Sequence, residues 1–525
     1  MRSLILLLVV QACSSDAAVH QATCRPTDRS PYPASSPYLG VHAGPQQNDL
    51  VACDLADAYE PAWHALEGYG VAQPNTFSPD GQTTYVTTSE PTPDACTVFA
   101  LDVATGETRW CVRLPGALGA AVSVDEDGDL YLTTTGAVRS LDADGGTRWS
   151  HDVIDALGAP SLAYGTQFTP DGLVATVTAD GALLLLDRAT GAARATLDLP
   201  SAFGFPKPGA TSAPIDLGSL LPESISADLA RVFGGAGQLL SVFTGSSGNY
   251  TDNTVGVAPD GTMYVIGYGP DAHTGALVQV KRGGPSDAPT LTPGWFVRTV
   301  EGSASSPSIS PDGRWVKVTD GNASAAVLNP ATAEASARLV DIGACDQNTD
   351  GDADPTVCAP AIVVPLVSGP ALGASPVLDG GEQYLWDVQL ADLLETEHAD
   401  LRRLDGDQVV WETRLPDDAQ WTSVVTLTDH HILGTTTRLT ASDQSLLSIE
   451  LPATASSDVV MIDRATGELV WSAPVTDDSA STVTVGEDGS LYVTLLGLVH
   501  GFATDTPIVG GVQRFVEPAD RAEPE

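Results

Sequence analysis

Val98 to Trp110 reads VFALDVATGETRW, and a near copy, VVMIDRATGELVW, returns at Val459 to Trp471. In both, an apolar run leads to an Asp (Asp102, Asp463), then to Ala-Thr-Gly (Ala104 to Gly106, Ala465 to Gly467). A Trp ends each stretch. Apolar and β-branched arms around a Gly that accepts positive φ, with an Asp able to bond the turn backbone, predict a β-hairpin. The Trp then lies on the returning strand, where it can cover the sheet next door.

Weaker copies extend the pattern. Leu141-Asp142 leads to Trp149 and Leu404-Asp405 to Trp411, while Leu186-Asp187 with Ala189-Thr190-Gly191 has Ala195 in place of the Trp. Asn329 to Ala333 keeps the outline in a further copy without its Gly. Ahead of each hairpin stands a second turn signal before a short strand. These are Pro79-Asp80-Gly81, Asp127-Gly128, Pro170-Asp171-Gly172, Pro259-Asp260-Gly261, Pro311-Asp312-Gly313, Asp379-Gly380, the degenerate Thr428-Asp429-His430, and Asp488-Gly489. Their spacing is mostly about 45 to 65 residues, which suits one four-stranded propeller blade each. The expected fold is all-β: an eight-bladed β-propeller of four-stranded antiparallel blades over residues 60–515.

Two irregularities qualify that ring. Residues 200–252 make one interval too long, and they read as an insertion, with an eroded ninth blade as the alternative. The last blade lacks its outer hairpin, whereas Pro61 to Gly68 (PAWHALEG) is an orphan outer strand with a Trp. Pairing the segment near Trp63 beside the C-terminal strands would close the ring and leave no open edge. Residues 516–525 form an acidic tail.

Charge narrows the partners. With 24 basic and 67 acidic side chains the net charge is −43, which repels phosphate backbones and anionic lipid surfaces. Nucleic acid is excluded as a partner. The first residues, MRSLILLLVVQAC, place Arg2 before an apolar core from Leu4 to Val10, and Ala12 before Cys13. This resembles a bacterial lipoprotein signal, with residues 1–12 removed, Cys13 acylated, and 13–59, rich in Pro, Ser, Ala and Asp, serving as a tether. Any membrane attachment would run through that lipid. The other cysteines fall into neighbouring couples, Cys24 with Cys53, Cys96 with Cys111 and Cys345 with Cys358, as suits an oxidising compartment. Six cysteines allow fifteen connectivities, so these couples are one expectation among several.

The Leu-Asp-x-Ala-Thr-Gly-x-x-x-Trp hairpins and Asp-Gly-x-x-Tyr-Val strands together resemble the PQQ-like (quinoprotein-type) β-propeller repeat family, over about Pro61 to Phe515. That family includes quinoprotein alcohol dehydrogenases and non-enzymatic scaffolds of the outer-membrane barrel assembly machinery. The dehydrogenases resemble one another in a vicinal Cys-Cys ring and a calcium-holding Glu, Asn and Asp set. No Cys-Cys pair occurs here, so no catalytic residue and no bound quinone are carried over.

The sharpest local motif is CDQNTDGDADPTVC, Cys345 to Cys358. Asp346, Asn348, Asp350, Asp352 and Asp354 supply oxygens at alternating positions, and Gly351 permits the turn that lets them converge on one hard cation, as in the first part of an EF-hand-like calcium loop. The position where an EF-hand places a bidentate Glu is Val357. Asp125-Glu126-Asp127 reads as an ordinary hairpin turn, and His430-His431 as a surface pair. The expected function is an exported, lipid-anchored scaffold or binding module in the cell envelope, at the outer membrane or cell surface. Its partner would be an envelope or extracellular protein, with Ca2+ as the one expected ion. A quinoprotein-like dehydrogenase with a site in the central channel is the alternative, and a carbohydrate-binding propeller a third class.

Overall fold

The structure is a computed structural model that describes residues 22–518 apart from 27–28, 89–94, 115–120, 156–157, 159, 207–249, 252, 271–273, 300–305, 321–335, 347–354, 366–375, 387–400, 414, 416–418, 447–448, 480, 498–499 and 501–508. Eight antiparallel blades surround one axis. Blade 1 consists of Thr76–Phe77, Thr83–Thr87, Val98–Asp102 and Thr108–Val112, bonded in that order. First strands of blades 1 and 2, of 3 and 4, and of 4 and 5 touch one another, which places the first strands at the axis and the fourth strands on the perimeter.

The local chemistry repeats with the blades. Asp102 Oδ1 accepts the N–H groups of Ala104 and Thr105 at 3.0 Å each, and Gly106 takes φ 74°. Asp187 and Asp463 hold the same bonds to Ala189, Thr190, Ala465 and Thr466. The Trp works across the blade boundary. Trp110 Nε1 donates to Ala143 O of the next blade at 2.9 Å, Trp149 to Arg188 O at 2.9 Å, and Trp411 to Arg464 O at 3.2 Å. The ring of each indole lies on the turn glycine of that next blade. A Cβ at Gly145, Gly191 or Gly467 would stand 3.0, 2.5 or 2.7 Å from it, so the Gly is needed for close approach as well as for φ.

Ring closure follows the same rule. Glu60–Ala65 pairs antiparallel with Gly511–Val516, completing blade 8. Trp63 then covers Gly106 of blade 1, and its Nε1 donates to Val103 O at 3.0 Å.

Two expectations are corrected. The third strand of blade 5 is Ser336–Asp341, and its fourth is Ile362–Pro365. The outer turn therefore starts at Asp341, not at Asn329 to Ala333, which lie outside the described residues in the link before that strand. Asp341 does the work of Asp102, accepting from Gly343 N at 3.1 Å and Ala344 N at 3.4 Å. A short helix, Ile342–Cys345, replaces the tight turn. The second correction concerns His431, which is buried, whereas His430 is exposed.

Among the described residues no blade stands between blades 3 and 4. Leu183 and Leu185 of blade 3 share one core with Val265 and Val278 of blade 4, so these two blades are neighbours in the ring, and most of the expected insertion, 207–249, lies outside the described residues. Alternation of antiparallel strands fixes the two rims. Turns from first to second and third to fourth strands share one rim, here the turn rim, and the 345–358 loop belongs to it. The link from the fourth strand of blade 3, Ala193–Asp198, leaves from the other rim.

Candidate functional site

The expected tether packs into the ring from Arg29 to Tyr59. Tyr38, Gln47, Asp49, Cys53 and Leu55 are fully buried, and the segment bonds to seven of the eight blades. At the turn rim, Glu126 N donates to Pro31 O at 2.7 Å, Ser35 Oγ to Pro79 O at 2.7 Å, and Asp429 N to Cys53 O at 3.0 Å. Deeper, Val257 N donates to Pro45 O, Ile309 N to Gln46 O and Leu427 N to Asp49 O, at 2.7, 2.8 and 2.7 Å. Tyr38 Oη meets Thr482 Oγ1 of blade 8, and Tyr32 Oη donates to Gln167 of blade 3 at 2.8 Å.

The reason is in the backbone. An innermost strand turns one edge of N–H and C=O groups toward the axis, and buried groups of that kind need partners. Residues 45–51 supply them to blades 4, 5 and 7. Gln46 Nε2 adds a bond to Ser310 O at 2.6 Å, and Gln47 reaches Val255 O and Thr254. Holding this path puts His42, Ala43, Gln47 and Asp49 at φ between 49° and 62°, a left-handed region that such residues occupy at a cost of about 1–3 kcal/mol each. Burial pushes the Asp49 carboxyl up, and His42, 3.0 Å away, offsets part of that rise. The segment is a plug, and the Cys24–Cys53 disulfide ties its Cys53 to the strand that precedes it.

All three expected cysteine couples are bonded in the structure: Cys24–Cys53, Cys96–Cys111 and Cys345–Cys358, with Cα–Cα distances of 4.1, 5.8 and 5.6 Å. Of the expected calcium ligands only Asp346 is described, and it sits 3.1 Å from Lys281 Nζ. Asn348, Asp350, Asp352 and Asp354 lie outside the described residues, as does Cys13. Beyond the loop, Thr356–Val357 pairs in parallel with Trp295–Phe296 on the perimeter of blade 4. Among the described residues no group of three or more His, Cys, Asp or Glu side chains converges as a metal site. Asp125 is a hairpin anchor, accepting from Asp127 N, Asp129 N and Tyr131 Oη.

One constellation escaped sequence reasoning because its members carry no motif. Ser457 Oγ lies 3.1 Å from His500 Nε2, and His500 Nδ1 lies 3.2 Å from Asp477 Oδ1. The order is that of a Ser-His-Asp relay, but all three are buried, and Ser457 sits inside the strand Ile449–Asp463. Its Oγ also meets Thr437 Oγ1 at 2.7 Å, and Asp477 Oδ2 accepts from Val509 N and Gly510 N. A nucleophile needs an exposed oxygen and an oxyanion pocket beside it. This cluster has instead the form of a buried network that ties Asp477 to Val509 and Gly510 and places Ser457 beside His500.

Lys317 is another buried polar group. On the second strand of blade 5 it is fully buried, its Nζ donates to Tyr384 O at 3.1 Å, and burial holds its pKa well below the ordinary 10.5. The folded state thus sheds a proton that the unfolded chain keeps up to pH 10.5, so stability rises with pH from the lowered folded value to the unfolded one. Lys317→Met should gain roughly 1–3 kcal/mol at neutral pH. Denaturant unfolding across neutral to alkaline pH checks this, because the gain should shrink as pH climbs; a difference that ignores pH would contradict it.

Fold and site define an eight-bladed β-propeller whose axis is plugged by its own N-terminal segment. Residues 41–205, from the plug through blade 3, match the family model described as outer membrane protein assembly factor BamB, a model of PQQ-like repeats. No curated protein sequence matches the chain. Among solved structures, BamB from Moraxella catarrhalis is 11% identical over 87% of this chain and 99% of that one, at a TM-score of 0.43. Quinohemoprotein alcohol dehydrogenase from Comamonas testosteroni is 13% identical over 92% of this chain and 81% of that one, at 0.48. A europium-containing methanol dehydrogenase is 12% identical over 92% and 98%, at 0.48.

Proposed function

We propose that the protein is an exported, lipid-anchored propeller that acts as a non-catalytic scaffold, presenting its rims and perimeter to other proteins of the cell envelope at the outer membrane or cell surface. The observation that carries this reading is the plug: the axis, where a propeller enzyme of the quinoprotein kind would hold its site, is packed on the turn-rim side with Tyr38, Gln46, Gln47 and Asp49 of the chain itself. Support for the setting comes from Cys13 behind its apolar leader, from three disulfides, and from the description of the matched family as an assembly factor of the outer membrane. Crosslinking in the native envelope followed by mass spectrometry tests it. Discrete adducts with an envelope protein are expected. Their absence, joined to alcohol-dependent dye reduction after reconstitution with quinone and calcium, would make the chain a dehydrogenase.

Calcium belongs to the same reading as a stiffener of the turn rim. The 346–354 motif is pinned at its ends by Cys345–Cys358, which can stand in for a supporting helix pair. With Val357 where a Glu would complete the ligand set and Lys281 beside Asp346, binding should be weak, with a Kd of about 10⁻⁴–10⁻³ M. Isothermal titration should show heat in the wild type that Asp350→Ala removes. A wild type that gives no heat rejects the site.

A further inference from the structure

The repeat supplies its own control for reading the perimeter. The two residues before the outer-strand Trp, or before Ala195 in its place, are Thr108-Arg109 in blade 1, Thr147-Arg148 in blade 2 and Ala193-Arg194 in blade 3. Each Arg is paired with a carboxylate, Asp102, Asp129 or Asp187, at 2.7, 2.9 and 2.7 Å. In blades 6 and 7 the same two places hold Val409-Val410 and Leu469-Val470. These are 54%, 51%, 41% and 39% exposed. Val363, on the outer strand of blade 5, and Val357, on the strand added to blade 4, continue the series, so six of the seven large exposed apolar side chains among the described residues lie on the perimeter of four successive blades. Single exposed apolar residues are ordinary on any surface, but a run at equivalent places on neighbouring strands marks a contact surface.

We propose that the outer strand of blade 6, Gln408–Thr413, with the adjoining apolar residues of blades 5 and 7, is a docking edge for an extended, basic and apolar segment of a partner protein, added as a further strand. The proposal rests on the scaffold reading. Among the described residues this strand pairs only with Leu401–Asp405, so its outer edge offers backbone groups for β-addition. The molecule already shows the mode once, where Thr356–Val357 adds to the outer strand of blade 4. Charge selects the occupant. Asp405, Asp407 and Glu468 are exposed around the valines, beside Glu412, which pairs with Arg402 at 2.8 Å, and the net charge of −43 opposes a second copy. A lipid surface would leave the edge N–H and C=O groups without partners, whereas a strand with alternating lysines satisfies both backbone and charge.

The test uses the full chain and a fluorescent heptapeptide of alternating lysine and valine, read by anisotropy. An otherwise identical peptide N-methylated at each valine keeps charge and apolar surface but cannot pair its backbone. Binding of the first peptide is expected, weakened at least about tenfold by N-methylation and by Val409→Lys with Val410→Lys, and changed less than about twofold by Ala193→Lys with Thr196→Lys, which adds the same charge to blade 3. Equal loss in both double variants, undiminished binding of the methylated peptide, or no binding overturns the proposal. So does vesicle binding or self-association of the wild type that Val409→Lys with Val410→Lys abolishes, since the edge would then serve lipid or a second copy. Envelope crosslinks that survive Val409→Lys with Val410→Lys would refute this edge while leaving the scaffold reading standing.

Discussion

Trp63→Ala should cost the whole ring about 3–5 kcal/mol, the usual range for emptying a packed aromatic site. Trp63 sits on the strand Glu60–Ala65, which, among the described residues, joins the two ends of the propeller. Its indole lies on Gly106 of blade 1, its Nε1 bonds Val103 O, and its ring meets Tyr492 of blade 8 edge-on at 5.8 Å. Arg514 from the paired strand reaches the same Val103 O at 2.9 Å. Deleting residues 60–70 removes the partner of Gly511–Val516 as well and opens blade 8 at an edge. Thermal unfolding followed by circular dichroism should therefore fall by several degrees for the substitution and lose its single transition for the deletion. A transition that stays put in the deletion would mean that the ring is held without its closing strand.

The second large effect is expected inside the axis. Tyr38→Ala should also lower stability by about 3–5 kcal/mol, because it empties a fully buried aromatic site and leaves Thr482 Oγ1 and the Asp49 carboxyl with fewer partners. The loss should be global, since the plug bonds the inner strands of blades 4, 5 and 7 and the turns of blades 1, 2, 7 and 8, the last through Tyr59 Oη to Gly489 O. A tether would behave differently: the same substitution there would change unfolding by no more than a few tenths of a kcal/mol. Chemical denaturation with an unchanged midpoint would show that the segment does not share the stability of the ring.

These two predictions mark what the sequence could and could not say. The blades were legible because a hairpin writes itself locally: Asp102, Gly106 and Trp110 lie within one short stretch and serve bonds that recur at Asp187 and Asp463. Even the closing strand was readable, through a Trp without its hairpin. The plug was not, because residues 29–59 have no periodic pattern; their order comes from partners such as Leu427, Ile309 and Val257, hundreds of residues away and equally plain in sequence. Blade 5 failed for a related reason. Asp341 keeps its capping role, but the helix Ile342–Cys345 and the loop after it replace Ala-Thr-Gly, so the eye settles on the false outline at Asn329. The perimeter valines were visible all along, yet only the structure, by placing them level with Arg109 and Arg194, makes them a departure from the repeat.

Hydrogen exchange resolved to single amides tests the plugged, closed ring most directly. Val257, Ile309 and Leu427 donate to carbonyls of residues 45–49, and Val51 N donates back to Leu427 O at 2.9 Å. If the plug is part of the core, these amides exchange only through global unfolding, with protection equal to that of Val86 or Leu132 in the middle of blades 1 and 2. Exchange of all four at the rate of an unstructured chain, with blades 1 and 2 still protected, would contradict the account.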